Sequence, residues 1–189
     1  LQQIITLIKK KSDPTFDLTA IDFNDAKTYE MIAKGQTTGV FQLESEGMRQ
    51  VLKKVCPTSL EDIVACNALF RPGPMESIPL FAARKHHEQP VDYYHPSLQG
   101  ILHNTYGIIV YQEQIMQIAN VVSGYTLGEA DVLRRAVSKK KKDVLEEEER
   151  KFVAKAVERG YPIEIASQLY ALILKFANYG FNRSHAVAY

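Results

Sequence analysis

The densest set of groups able to do chemistry is the run Leu133-Arg134-Arg135-Ala136-Val137-Ser138-Lys139-Lys140-Lys141-Lys142. Arg134 and Arg135 adjoin apolar helical positions, so at least one guanidinium must lie near a packed surface. Cations held in this way suit phosphate, because a guanidinium fork meets two oxygens at once and ammonium groups act as point charges. A solvated basic helix end accounts for the same run, and the cluster alone does not separate the two readings. A second string, Tyr179-Gly180-Phe181-Asn182-Arg183-Ser184-His185, puts an aromatic ring, an amide, a cation, a hydroxyl and an imidazole at one turn. Stacking, donors and charge in one place are what a nucleotide's base, sugar and phosphate demand of a binding surface. A helix end followed by a new N-cap at Asn182 or Ser184 fits the same residues, and both can hold together.

A third candidate joins Gly39-Val40-Phe41-Gln42-Leu43-Glu44-Ser45 to Arg71-Pro72-Gly73-Pro74, which alone read as an extended lead-in and a rigid turn. Phosphoryl transfer by two metal ions needs converging carboxylates. The nearest set, Asp22-Phe23-Asn24-Asp25, precedes a helical pattern and reads as a cap. No Gly-rich phosphate loop and no nucleophile with an evident partner stands in the chain. His86, His87, His95 and His103 have no accompanying Cys and no zinc spacing, so no metal site is expected among them.

The elements that must position these groups are mostly helical. The 189 residues are 46% hydrophobic and 24% charged, an ordinary globular composition, and the formal charge of +1 argues against a wholesale polyelectrolyte. Apolar residues recur at steps of three and four throughout. Asn24 or Asp25 is expected to cap a short helix ending near Gly35, Ser59 with Asp62 to open another, and Gly124 to close a third. Pro162 is expected in the first turn of a further helix. Short strands are expected at Thr37–Leu43, where an extended lead-in fits as well, and at Gly107–Tyr111. The polar segment 84–103, with Pro90 and Pro96, reads as a mobile surface insertion or a subdomain edge. Glu146 to Arg150 and Glu147 to Lys151 are favourable pairs on one long solvated helix. Cys56 and Cys66 lack any framework spacing and read as buried free thiols. No apolar run spans a bilayer and no signal peptide precedes the first helix, so a soluble, cytoplasmic protein is expected. Both ends lack caps, as in an excerpt from a longer chain.

Taken in order, five motifs resemble one family. They are Thr38-Gly39-Val40-Phe41-Gln42-Leu43-Glu44-Ser45-Glu46-Gly47-Met48, Leu69-Phe70-Arg71-Pro72-Gly73-Pro74, the stretch from Thr105 through Tyr111-Gln112-Glu113-Gln114 to Ala119, Leu133-Arg134-Arg135-Ala136, and Tyr179 to His185. The chain is similar over essentially its whole length to the alpha subunit of bacterial DNA polymerase III, a C-family replicative polymerase. The resemblance implies a mainly α, multi-helix fingers domain with one or two short β-strands. It divides the chain into palm-proximal helices and linker over 1–35 and the fingers domain, cut short at its C-terminal end, over 36–189.

By the same resemblance, Arg134, Arg135, Lys139, Lys140 and Lys141 contact the incoming triphosphate, and Asn182, Arg183, Ser184 and His185 lie beside the nucleotide's sugar and base. Phe41, Gln42, Arg71, Gln112 and Phe181 support them. Two departures stand out: Arg183 replaces the family's usual Lys, keeping charge but changing geometry, and Val137-Ser138 replace Met-Gly beside the basic run. The implied function is the fingers portion of a DNA-directed DNA polymerase that binds deoxynucleoside triphosphate and primer-template DNA. Its catalytic aspartates and Mg2+ would lie in the palm outside this chain, so the chain alone is expected to be inactive and to hold no metal. Its partners would be other domains of the same polymerase and, through them, replisome subunits, with no membrane. The rival reading is a helical module that binds duplex DNA or a protein through its basic face.

Overall fold

The computed structural model describes residues 1–139, 142–177 and 179–189. Helix starts follow local chemistry. Asp25 accepts from the amides of Lys27 and Thr28 and opens α2 (Ala26–Ala33), which follows α1 (Gln2–Lys11). Ser45 caps α3 (Glu46–Val55) and Ser59 caps α4 (Leu60–Leu69), each hydroxyl accepting one orphan amide of the first turn. After Arg71-Pro72-Gly73-Pro74 come α5 (Ile78–Lys85) and the short α6 (Gln99–Leu102). Gly124, with φ 66°, ends α7 (Gln112–Ser123) as expected.

Thr126 and Glu129 cap each other reciprocally at the start of α8 (Leu127–Lys139), a capping box absent from the sequence expectations. The long α9 (Lys142–Glu158) and α10 (Ile163–Ala177) pack as a pair, and α11 (Arg183–Ala188) closes the order. Pro162 accepts the amide of Ala166 and so stands at the head of α10.

Two apolar cores result. The first joins α2, α3, α4 and α5 around Leu52, Ala65, Leu69 and Phe81, and receives Ala186 of α11. The second joins α6, α7, α8, α9 and α10 around Ile115, Leu133, Phe152 and Tyr170. The extended segment Ile108–Tyr111 serves both: Ile108, Val110 and Tyr111 enter the first core and Ile109 the second. Ile108 to Val110 thus alternate as in a strand, whose successive side chains point to opposite faces, and Tyr111 breaks the pattern by joining Val110 in the first core. Among the described residues its pairing is a single parallel bridge, Tyr111 with Phe181.

Thr37–Leu43, by contrast, is no strand. Two successive turns, Val40 N to Thr37 O and Leu43 N to Val40 O (both 3.0 Å), fold it back, and the Thr37 hydroxyl donates to Leu43 O at 2.5 Å. Gly39 and Gln42 take positive φ (77° and 65°) to allow this.

The segment 84–103 carries exposed histidines but also seats Leu98 and Leu102, both fully buried, in the second core. Cys66 is buried, and burial pushes its thiol up to about 12, whereas Cys56 is half-buried at the end of α3. Both thiols are free.

Between α4 and α5 lies an almost fully buried ion pair. Lys85 Nζ stands 3.1 Å from Asp62 Oδ2, with side chains 8% and 3% exposed. Thr58 donates to the same carboxylate through its amide at 2.9 Å, and Tyr106 through its hydroxyl at 3.2 Å. Burial pushes the Asp62 carboxyl up, but the Thr58 amide and Lys85 outweigh it and hold it below its ordinary value of 3.8. A group depressed by folding stabilises above its unfolded value, and that contribution is lost as pH falls below it. Asp62→Asn should therefore cost about 3 kcal/mol at neutral pH by leaving Lys85 buried and unpaired. Melting temperatures followed by circular dichroism should also show a flatter decline below pH 3.8 in the variant than in the parent.

Candidate functional site

The link after α10 returns the chain to the first core and carries the second candidate string there. Phe181 N donates to Val110 O, and Gln112 N donates to Phe181 O, both at 3.0 Å, clamping the link to the head of α7. Asn182 caps α11: its Oδ1 accepts the His185 amide at 2.9 Å, while its Nδ2 donates to Glu113 Oε1 at 3.0 Å. The Arg183 amide donates to both Glu113 oxygens at 3.1 Å, and the Arg183 guanidinium pairs with Glu61 of α4. Ser184 and His185 are exposed. The His185 ring lies between Phe181 and Tyr189, with centroids 5.3 and 4.6 Å away.

Beside this aromatic row opens a cleft of about 400 Å³ lined by Phe41, Gln42, Glu44, Ser45, Met48, Asn67, Phe70, Arg71 and Phe181. Four residues expected to support a nucleotide site, Phe41, Gln42, Arg71 and Phe181, thus meet on one wall set. The fifth, Gln112, packs against Gly180 just behind them. Phe41 is 62% exposed, and its ring tilts against Tyr189 at 5.5 Å. The Arg71 guanidinium carbon lies over the Phe181 ring, 4.5 Å from its centroid, and the side chain ties the link down by donating to Tyr179 O at 2.6 Å and Ala68 O at 2.8 Å. Its guanidinium therefore holds the cleft together, and desolvation by burial lowers its pKa from the usual arginine value.

The guanidinium pair sits on the other core. Leu133 anchors α8 there, and the flanking Arg134 and Arg135 converge on one carboxylate one helical turn back. Asp131 Oδ1 accepts from Arg134 Nε at 3.1 Å and Nη2 at 2.8 Å, and Asp131 Oδ2 lies 2.9 Å from Arg135 Nη2. The Arg134 hydrogen bond and the charge of Arg135 hold the Asp131 carboxyl below its ordinary range. Lys140 and Lys141 lie outside the described residues, as does the side chain of Lys139.

Sequence reasoning missed the three carboxylates that hold these groups, Glu61, Glu113 and Asp131. Only Asp131 left a legible signal, since an acid three or four positions before each arginine faces it on a helix. The cap reading of the acidic segment agrees with the geometry: Asp22 accepts from Asn24, and Asp25 from Lys27 and Thr28. The histidines are dispersed. His86 bonds Lys54 O, His95 bonds Ser97, and His103 bonds Gly100 O. Among the described residues no group of three or more His, Cys, Asp or Glu is arranged to hold a metal ion.

Fold and site define an all-helical domain that presents an aromatic cleft and carboxylate-held cations on a two-core scaffold. Residues 1–160 match the family described as the bacterial DNA polymerase III alpha subunit finger domain. The chain belongs to that family. It is 57% identical over 189 residues to a DNA polymerase III subunit alpha of Bacillus subtilis (strain 168), which covers 100% of this chain and 17% of that protein. Proteins of the same description from Halalkalibacterium halodurans and Staphylococcus aureus (strain COL) are 53% and 52% identical over the whole chain. The chain thus spans less than a fifth of the length of these relatives.

The rigid turn that supports the cleft depends on Gly73. It takes φ 97°, and a Cβ there would stand 2.5 Å from the Tyr179 ring. Gly39, at φ 77°, has open space around the same position. Gly73→Ala should lower stability by clearly more than about 1 kcal/mol, and Gly39→Ala should show only the cost of its backbone conformation. Urea midpoints of the two variants check the order.

Proposed function

We propose that this chain is the finger portion of a DNA-directed DNA polymerase and binds the incoming deoxynucleoside triphosphate and the templating base pair during DNA replication. The observation that carries the reading is the cleft between Phe41 and Phe181. Its aromatic walls, the Arg71 guanidinium and the amides of Gln42 and Asn67 offer the stacking surface and hydrogen-bonding edge that a nucleobase needs. Ser184 and His185 continue that surface toward a sugar. Arg134 and Arg135, with Lys139, Lys140 and Lys141 after them, supply positive charge for a triphosphate. Asp131 takes the Nε–Nη2 edge of Arg134, so the end of that fork is left to meet phosphate oxygens.

The nucleotidyl transfer itself belongs to other parts of the polypeptide. Asp22 and Asp25 are engaged as turn and cap acceptors and do not fit a metal pair, so the Mg2+ of the reaction would be held by palm aspartates elsewhere. Residues 1–35 would face that palm, in keeping with an α1 that buries none of its residues. Residues 36–189 would form the fingers, with 84–103 as a subdomain edge seated on the second core by Leu98 and Leu102. Primer-template DNA, the remaining domains and, through them, replisome subunits are the proposed partners, in the cytoplasm. Among the described residues no helix is long and apolar enough to cross a membrane.

In a polymerase carrying this finger segment, Arg134→Ala or Arg135→Ala should raise KM for nucleotide about tenfold, as expected for loss of a charged hydrogen bond of about 1.5–3 kcal/mol. Steady-state primer extension reads this, and unchanged KM in both variants would remove the pair from the site. The chain alone should extend no primer, and extension by it would overturn the assignment of catalysis to the palm.

A further inference from the structure

We infer that Glu113 is a positioning residue for nucleotide binding that acts through Asn182 and His185, an inference that rests on the proposed role of α11 in the nucleotide site. With six residues, α11 is too short to hold its own shape or direction, so external ties must set both. Ala186 pins one side to the first core. The other tie is the Glu113 carboxylate, reaching across from the first turn of α7. It accepts the Asn182 side-chain N–H and the Arg183 amide, partners about seventy positions away in sequence.

The direction of that tie matters. A carboxylate only accepts, so it fixes the Asn182 amide with its NH2 toward α7 and its oxygen toward the His185 backbone N–H. Asn182 thereby commits one side-chain N–H to Glu113 and its oxygen to His185. Arg183 spends its amide on Glu113 and its guanidinium on Glu61. Of the four residues in the string, Asn182 and Arg183 are framework, and the exposed Ser184 and His185 are the ones that face a ligand.

The test uses the polymerase carrying this finger segment, with KM for nucleotide and kcat measured separately for Glu113→Ala, Glu113→Gln, Asn182→Ala, the double variant Glu113→Ala with Asn182→Ala, and His185→Ala. Glu113→Ala and Asn182→Ala are each expected to raise KM roughly tenfold with kcat within about threefold, and the double variant to fall well short of the product of the two, because both break the Asn182–Glu113 bond. Glu113→Gln keeps one acceptor oxygen and should recover part of the loss. A merely structural role would instead lower the fraction of folded enzyme, cutting kcat and leaving KM in place. That outcome, unchanged KM, or additive effects in the double variant would overturn the inference. If His185→Ala raises KM while the Glu113 variants do not, only the role of Glu113 fails. If His185→Ala also leaves KM unchanged, the placing of α11 at the nucleotide site fails with it.

Discussion

An extended stretch of backbone runs between two helical cores with no sheet to satisfy it, and the rest of the molecule depends on how that is resolved. Buried amides left without acceptors destabilise strongly, so Ile108–Tyr111 must find partners outside any ladder. The side chain of Gln114, itself buried, supplies two: its Oε1 accepts from Val110 N at 2.9 Å and Tyr111 N at 3.0 Å. Its Nε2 donates to Ile101 O and Thr105 Oγ1, so the amide is used at both ends and ties α6 to α7. The outward carbonyl of Val110 is taken by Phe181, which brings the distant link and α11 to the head of α7. One glutamine thus makes possible both the sharing of the segment between cores and the docking of the candidate ligand-facing residues.

Two kinds of ion pair divide the labour on this scaffold. Asp62–Lys85 is closed off from solvent, and its geometry is complemented by Thr58 and Tyr106, so breaking it exposes the full cost of a buried charge. The pairs at the candidate site are of the other kind. Arg135 is 60% exposed in its pair with Asp131, and Arg183 is 43% exposed in its pair with Glu61. Solvent-exposed pairs of this sort contribute little stability, about 0–1 kcal/mol. Their part is to orient the guanidinium groups, whereas the buried pair holds the core.

Features set within one turn of chain were legible in the sequence. Asp25, Ser59 and Gly124 end or begin helices for reasons contained in three or four residues, and the helical periodicity supplies most of both cores. Thr37–Leu43 was misleading because its alternating apolar pattern is overridden by the Thr37 hydroxyl closing onto Leu43 O, a bond between residues six apart. Within Gly107–Tyr111 only Ile108 to Val110 keep strand-like alternation, and the segment lacks a ladder because its partners are a side chain and one link residue rather than a neighbouring strand. At the candidate site, what the sequence left hidden is which residues hold one another. Glu113 with Asn182 and Glu61 with Arg183 span 69 and 122 positions, distances over which no local rule operates.

Arg183 shows what such partnership changes. Where the family resemblance leads one to expect lysine, charge alone suggests an equivalent contact to a nucleotide. The guanidinium instead donates a fixed fork to Glu61, joining α11 to α4. An ammonium on its flexible stem offers a point charge without that fork geometry, so the same positive charge is freer to turn toward a ligand. Arg183 is thereby a tie between α11 and α4. In this chain two carboxylates from different helices hold Asn182 and Arg183, and with them the head of α11.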